Sequence, residues 1–289
     1  MKIVVTGGLG FIGSSFVKLC VKKGNHVVVI DKMTYAADKN RLKGYSYDLV
    51  QKDICDDVKF ACEKADYIVN FAAESHVDNS ISNGLPFIKS NIEGTFNMLE
   101  IARTIPNLRK FIQISTDEVY GDIINHPPSK TTDTIIPSSY YSASKSAADG
   151  LVQSVGRTYN LPYLITRTCN NFGDNQHNEK FLPTIYNSIK NNKPIPIYGD
   201  GSQVREWIWV EDNVKEVYNL MLNNTGIHHI GSRDRWENKE LIQLIANILE
   251  KKVKFKFVKD RLGHDKKYAL ESDNIITKSI TDYLREKYG

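Results

Sequence analysis

Short, almost continuously apolar runs alternate with amphipathic stretches through the first half of the chain. Residues 2–6, 26–30, 48–51, 67–71, 109–115 and 163–167 are such runs, rich in valine and isoleucine. A strand with one wet face alternates apolar and polar residues. A continuous run predicts burial on both faces, as in a parallel sheet covered by helices. Between the runs, apolar residues recur at helical spacing. Phe11, Ile12, Phe16, Leu19 and Cys20 mark a helix over 11–23 that Gly24 and Asn25 stop. Ile92, Phe96, Leu99 and Ile101 mark a long helix over 88–104, closed by Pro106, and another is predicted over 142–159. The pattern predicts an α/β fold, a doubly wound parallel sheet.

After about residue 168 the alternation loosens. Residues 170–196 are rich in asparagine, proline and lysine, with a helix over 182–190. Short strands at 197–198 and 204–210 and amphipathic helices at 211–222 and 238–251 follow. The expected organisation is one sheet-forming domain, 1–168, and a smaller mixed α/β lobe, 169–289, at the C-terminal end. A segment near 204–225 returns to the first domain.

Composition narrows the function classes. Among 289 residues, 41% are apolar and 25% charged, as in an ordinary globular protein. A net charge of +4, with no basic tail, gives no reason to expect nucleic acid. Cys20, Cys55, Cys62 and Cys169 lack metal-site spacing, so no metal is expected and the thiols read as reduced. The apolar stretch before the first glycine is too short for a signal peptide, and no apolar run reaches a membrane-spanning ~20 residues. A cytoplasmic protein is expected, with no membrane partner.

Gly7, Gly8, Gly10 and Gly13 join the first predicted strand to the first predicted helix. Glycines there let the backbone approach a pyrophosphate, which the helix N-terminus attracts. An acid, Asp31, ends the second strand. It can bind both ribose hydroxyls of an adenosine and would repel a 2′-phosphate. The sheet is therefore Rossmann-like and the cofactor NAD rather than NADP. Gly7, Gly10, Phe11, Ile12, Gly13, Asp31 and Lys32 are candidate contacts. So are Asp53 and Ile54 after the third strand, and Phe71, Ala72 and Ala73 after the fourth. Tyr141 and Lys145, four apart on a helix, share a face. An ammonium beside a phenol lowers its pKa, and the phenolate can take a hydroxyl proton as hydride leaves the same carbon. Thr116, at the end of the fifth strand, can orient the substrate oxygen, and Asp117 and Glu118 supply two carboxyls for a further acid–base step.

With these residues in place, the chain resembles the extended short-chain dehydrogenase/reductases, and within them the nucleotide-diphosphoglucose 4,6-dehydratases. The matching strings are GGLGFIGS (7–14), DKMTYA (31–36), NFAAESHVD (70–78), STDEVYG (115–121), YSASKSAAD (141–149), NNFG (170–173), YGDGSQVREW (198–207) and DRLGHDKKYA (260–269). The resemblance implies oxidation at C4 by Tyr141, Lys145 and Thr116 with NAD. Glu118 then takes the C5 proton, Asp117 protonates the departing 6-hydroxyl, and hydride returns to C6. It implies dTDP- or UDP-glucose as substrate, for deoxysugar synthesis of the rhamnose type. Substrate contacts are implied for Ser75, His76, Asn171, Lys180, Leu182, Pro183, Arg205, Asn238, Arg261 and His264. A homodimer through the helices at 88–104 and 142–159 is also implied. Two alternatives stay open: a UDP-sugar epimerase or decarboxylase, and a non-catalytic NAD-binding scaffold or sensor.

The chain departs from the family pattern at Tyr140, where proline is usual, at Asn79 in place of arginine, and at Gly173-Asp174-Asn175 in place of glycine-proline. Residues 272–281 form a short stretch where relatives run longer, so that 280–288 alone supplies the final helix.

Overall fold

The computed structural model describes residues 1–273 and 276–289. The apolar runs lie side by side: β1 (Lys2–Thr6), β2 (His26–Ile30), β3 (Asp48–Val50), β4 (Tyr67–Asn70), β5 (Lys110–Thr116) and β6 (Tyr163–Thr168) pair in parallel. Helix α1 (Phe11–Lys22) follows β1, and α2 (Lys59–Cys62), α3 (Val77–Ser82), α4 (Leu85–Phe87), α5 (Gly94–Arg103) and α6 (Tyr140–Tyr159) follow in turn. The chain then passes through β7 (Asn170–Phe172), α7 (Phe181–Lys190), β8 (Ile195–Tyr198), β9 (Val204–Trp209) and α8 (Val210–Asn223). It returns to the main sheet as β10 (Gly226–Ile230), which pairs with β6. The seven-stranded order is β10-β6-β5-β4-β1-β2-β3. The reversal beside β1 is where such sheets open a ligand crevice at their strand ends.

Both faces of the sheet are covered, as the continuous apolar runs require. On one, Ile3, Val5, Val29 and Ile112 pack against Phe16 and Val17 of α1 and Val214 and Val217 of α8. On the other, Val4, Ile68 and Phe111 pack against Met98 and Leu99 of α5 and Val152 and Val155 of α6. The rest of the chain adds β11 (Arg235–Glu237), α9 (Asn238–Ile248), β12 (Phe255–Val258) and α10 (Ile280–Tyr288). Its separate core joins α7, α9 and α10 through Leu182, Ile185, Leu241, Ile245, Ile280 and Leu284. Of the short stretch 272–281, residues 274 and 275 lie outside the described residues.

The long helix expected over 88–104 is not one regular helix. Ile88–Glu93 winds as a π-helix between α4 and α5. The wider turn carries Asn91, whose amide nitrogen donates to the Glu74 carbonyl (3.0 Å) and to Ser144 Oγ on α6 (2.8 Å). Such bulges recur at functional sites because they re-aim a side chain within a helix. β10 also escaped the sequence pattern, because Gly226-Ile-His-His-Ile breaks the apolar run with two histidines.

A buried polar chain ties the main sheet to α6 and to the late part of the chain. Arg167 on β6, 1% exposed, donates from Nε to Asp149 of α6 (3.0 Å) and from Nη1 to the Tyr120 hydroxyl (2.6 Å). The Tyr120 hydroxyl lies 2.6 Å from His229 Nε2 on β10, and His229 Nδ1 lies 3.0 Å from the Glu271 carbonyl. A carbonyl only accepts, so Nδ1 carries the proton and Nε2 receives that of Tyr120. Burial, the largest influence on this ring, keeps it neutral by lowering its pKa. The segment ending at Glu271 passes between the two halves of the molecule. Its Lys267 carbonyl accepts from Ile123 N–H (3.1 Å), and Leu270 bridges Ser129.

Removing one member of a buried ion pair strands the other. Arg167→Met should therefore cost about 3–5 kcal/mol of unfolding free energy. Adding Asp149→Asn should recover part of it, because the uncompensated carboxylate is gone. Equal losses for the single and double variants in urea titrations would refute the charge argument.

Candidate active site

The strand ends of the main sheet open into a cleft of about 330 Å³. Its floor is the turn from β1 to α1. Gly7 has φ +64°, and a Cβ there would sit 2.7 Å from Ala72 N. A Cβ on Gly13 would overlap the Gly7 carbonyl oxygen. Helix α1 has no side-chain cap and no acid in its first turn, so its leading N–H groups face an anion unopposed. Phe11 and Ile12 line the cleft beside them. Asp31, 8% exposed, accepts from Leu9 N–H (3.0 Å) and Met33 N–H (2.8 Å), one bond to each oxygen. Each oxygen keeps a further lone pair for a diol. Lys32 reaches Asp53 (3.4 Å) and Ser90 Oγ (3.0 Å). Burial alone would raise the Asp53 carboxyl; the Cys55 N–H and Lys32 outweigh it and hold the group below the usual carboxylate range. Ile54, Phe71, Ala72 and Ala73 complete the wall. Close-approach glycines, an uncapped helix start and an acid at the second strand end fit NAD.

Farther along the cleft, β5 ends at Thr116, whose hydroxyl caps the turn Asp117–Tyr120 by accepting from Glu118 N–H (3.4 Å) and donates to Asp117 Oδ1 (3.2 Å). Tyr141 enters from α6, started by Ser139 and Ser142 in a reciprocal capping box. Neighbouring Tyr140 is N1 of that helix, and its ring packs on Gly84, so the helix starts cleanly without the usual proline. Burial and then the charge of Glu118 push the pKa of Tyr141 up, which the nearby Thr116 hydroxyl only partly opposes. The expected lowering by Lys145 is not seen. Lys145 Nζ is turned onto the Ile114 carbonyl (2.5 Å), and burial, partly offset by Asp149, lowers its own pKa to about 8.

The two carboxyls sit in different surroundings. Asp117 is 4% exposed, and its Oδ2 has no hydrogen-bond partner among the described residues. Burial, then Glu118 and Glu206, raise its pKa well above the usual range, which Arg205 only partly opposes. Glu118 is also raised by burial, but Arg205, Arg261 and Lys180 all favour its anion. Asp117 is thus the better proton donor and Glu118 the better acceptor.

The second half supplies those cations unevenly. Lys180, Asn171 and Ser75 line the cleft, with Lys180 Nζ donating to the Ser75 carbonyl (3.3 Å). Arg205 lies over the Tyr268 ring (4.3 Å) and donates to the Asp265 carbonyl (2.9 Å). Arg261 reaches Asp78 (3.0 Å), bringing the 260–271 segment onto α3. His264 pairs with Asp260 (2.6 Å) against Tyr198. His76, just before α3, lies close enough to Lys180 for that charge, after burial, to lower its pKa. Leu182 is part of the small core, and it and Pro183 line a separate cavity beside Tyr186 and Tyr288. Asn238 begins α9, its N–H on the Gln203 carbonyl (2.9 Å).

Sequence reasoning missed Asn91 and Arg41. It also missed the buried relay in which Thr6 donates to Asn70 Oδ1 (2.5 Å) and Asn70 Nδ2 donates to Gln113 (2.9 Å) beneath the cleft. Thr6 and Asn70 end their strands and Gln113 interrupts the apolar run in the middle of β5, which was the available signal; Asn91 and Arg41 carry none.

A parallel sheet with an uncapped glycine turn at β1 and a Tyr/Lys pair on the helix after β5 defines an extended short-chain dehydrogenase/reductase. The sequence model of the NAD dependent epimerase/dehydratase family matches residues 3–231, and the chain belongs to that family. The low-salt glycan biosynthesis protein Agl12 of Haloferax volcanii is 44% identical over 284 residues, covering 94% of this chain and 90% of its own. The dTDP-glucose 4,6-dehydratase of Haemophilus influenzae is 40% identical over 308 residues, covering 95% of this chain and 91% of its own. The crystal structure of DesIV, a dTDP-glucose 4,6-dehydratase from Streptomyces venezuelae with NAD bound, matches with a TM-score of 0.95 at 33% identity. The match covers 100% of this chain and 96% of that one. Among the described residues, no helix is long and apolar enough to cross a membrane.

Because the Lys145 ammonium is held near pKa 8 against 10.5 for the free side chain, its burial is costly below pH 8. The penalty fades as pH rises from about 8 toward the unfolded value, since the unfolded chain then binds more protons. Lys145→Met should therefore stabilise the fold by about 1–3 kcal/mol at pH 7 while abolishing turnover. The gain should shrink at pH 10. A variant less stable than the parent in urea at pH 7 would contradict this.

Proposed function

We propose that the protein is an NAD-dependent 4,6-dehydratase of a nucleotide-diphosphoglucose, with dTDP-glucose as its substrate. The observation that carries this reading is two adjacent carboxyls in unlike surroundings beside Tyr141: Asp117 is buried with an oxygen that has no hydrogen-bond partner among the described residues, and Glu118 lies within the fields of Arg205, Arg261 and Lys180. An epimerase needs only the tyrosine step; elimination of water needs a paired acid and base as well. The dehydratase names of relatives at 40% and 33% identity support the same chemistry and the thymidine nucleotide.

In this mechanism Tyr141, oriented by Thr116, takes the proton of the sugar 4-hydroxyl. NAD, held by the Gly7–Gly13 turn and Asp31, would supply the hydride acceptor for C4, the hydride donor for C6 and a positive charge that favours the Tyr141 phenolate. The 4-ketone acidifies C5–H, and Glu118 removes that proton. Asp117 protonates the 6-hydroxyl, so that the C6–O bond breaks and water leaves. Glu118 then returns its proton to C5. Lys145, anchored at Ile114, holds a positive charge at the floor of the site. We assign Gly7, Gly10, Phe11, Ile12, Gly13, Asp31, Lys32, Asp53, Ile54 and residues 71–73 to the cofactor. Arg205, Lys180, Arg261, Asn171, Ser75, His76 and His264 serve the sugar nucleotide; Asn238 lies at its outer edge, and Leu182 and Pro183 support Lys180 from the small core and the neighbouring cavity. Residues 1–168 hold the cofactor and 169–289 the nucleotide.

We assign a homodimer to the face where Leu85 (72% exposed), Ile88, Phe96, Tyr140 and Tyr159 present large apolar side chains. They lie on the helical stretch α4–α5 and along α6, from its first residue to its last, as candidates for burial against a second copy.

Mass spectrometry of the product from dTDP-glucose should show the loss of one water, with UDP-glucose reacting more slowly. No loss of water from either nucleotide, with NAD supplied, would overturn the reading. Tyr141→Phe should block the first oxidation, lowering turnover by about 10²–10⁴-fold. Glu118→Gln should still reduce bound NAD, seen as absorbance of the reduced nicotinamide, but form little product; full dehydratase activity would remove Glu118 from its role. Light scattering should give twice the chain mass, and Phe96→Glu should halve it.

A further inference from the structure

Arg41 lies outside every string that carries the family resemblance, in the short turn Lys39–Leu42. It is nevertheless buried, 9% exposed, and its guanidinium joins three separate stretches of backbone. Nη1 donates to the Leu9 carbonyl in the glycine turn (2.8 Å) and to the Ala36 carbonyl (2.7 Å), while Nε donates to the Asn175 carbonyl (3.1 Å). The first two carbonyls belong to the adenosine end of the cleft. The third belongs to the loop between β7 and α7, which carries Gln176, His177, Glu179 and Lys180 along the cleft wall. A second link crosses at the surface. The Tyr35 hydroxyl donates to Glu179 (3.1 Å), and its ring stands edge-on to His177 at 5.4 Å.

The Leu9 carbonyl, buried and shared with the Asp38 N–H, anchors the guanidinium, and the part-buried Ala36 and exposed Asn175 carbonyls are drawn to it from either side. A planar fork spreads its donors over separate nitrogens and so spans acceptors that lie apart; an ammonium concentrates its donors on one atom. Asn175 takes up φ +65° where it offers its carbonyl, and its loop is the stretch that departs from the family's glycine-proline. The guanidinium thus does here, by bonding, what a rigid proline would do by covalent constraint.

We propose that Arg41 is a positioning residue that fastens the 173–180 loop to the glycine turn, with Tyr35 and Glu179 as the outer latch, and so holds NAD in the protein between turnovers. The inference rests on the NAD-dependent reading above. For the dinucleotide to leave, Arg41 must give up the Asn175 carbonyl and Tyr35 must part from Glu179. Arg41 makes no contact with the reacting carbons, so its loss acts on cofactor retention before it acts on chemistry.

The test compares the parent protein with Arg41→Met, Arg41→Lys and Tyr35→Phe. NAD dissociation is followed by stopped-flow fluorescence, and the NAD remaining after gel filtration is counted. The melting temperature without NAD, and KM for NAD against kcat, complete the set. Arg41→Met should release NAD at least tenfold faster and raise KM for NAD more than it lowers kcat. Arg41→Lys should not rescue it. Tyr35→Phe, altered at an exposed side chain, should release NAD about threefold faster with an unchanged melting temperature, which keeps the test open if Arg41→Met folds poorly. Parental dissociation rates in the folded variants would overturn the inference while leaving the dehydratase reading intact. A parent protein that binds no NAD would remove both, and is seen before any variant is made.

Discussion

One buried guanidinium holds the catalytic parts in register. Arg167 sits on β6, pairs with Asp149 on α6, and meets the Tyr120 hydroxyl at the end of the turn that carries Asp117 and Glu118. Through Tyr120 it reaches His229 on β10 and the backbone of Glu271. A charge taken out of water is tolerable only when every partner is in place. That demand couples the helix bearing Tyr141 and Lys145, the turn bearing the two carboxyls and the late segment that brings Arg261. If any one drifts, an ion or a hydroxyl is left unpaired in the interior.

The carboxyls show how adjacent residues come to differ. Asp117 and Glu118 share a turn, yet one points into an interior where its free oxygen finds no donor, and the other faces cations from distant parts of the chain. Nothing about the order Thr-Asp-Glu specifies which will hold a proton. The difference arises from the second half folding over the first, and so belongs to tertiary structure.

The parts of the molecule that could be read from sequence are those governed by local rules. The parallel sheet follows from strands without polar alternation, and the cofactor cradle from glycines placed between a strand and a helix. The π turn at Ile88–Glu93 could not be read, because its cause lies elsewhere: Asn91 is pulled toward Glu74 and Ser144, residues far away in the chain. The same holds for β10, whose place depends on its edge pairing with β6 and on His229 finding Tyr120. Arg41 was invisible for a related reason, since its partners are backbone carbonyls, which leave no mark on composition or spacing.

The route of the 260–271 segment has a consequence for how the protein comes into being. On a ribosome, the glycine turn, Thr116, Asp117, Glu118, Tyr141 and Lys145 all emerge before the midpoint of the chain or close to it. The segment that accepts from Arg205, pairs with Asp78 and receives His229 is made more than a hundred residues later. A nascent chain can therefore assemble its nucleotide cradle early and yet lack the cationic wall around Glu118. Reactivity arrives only once this late segment is made, so a chain interrupted before it has the reacting groups but not the environment that sets their protonation.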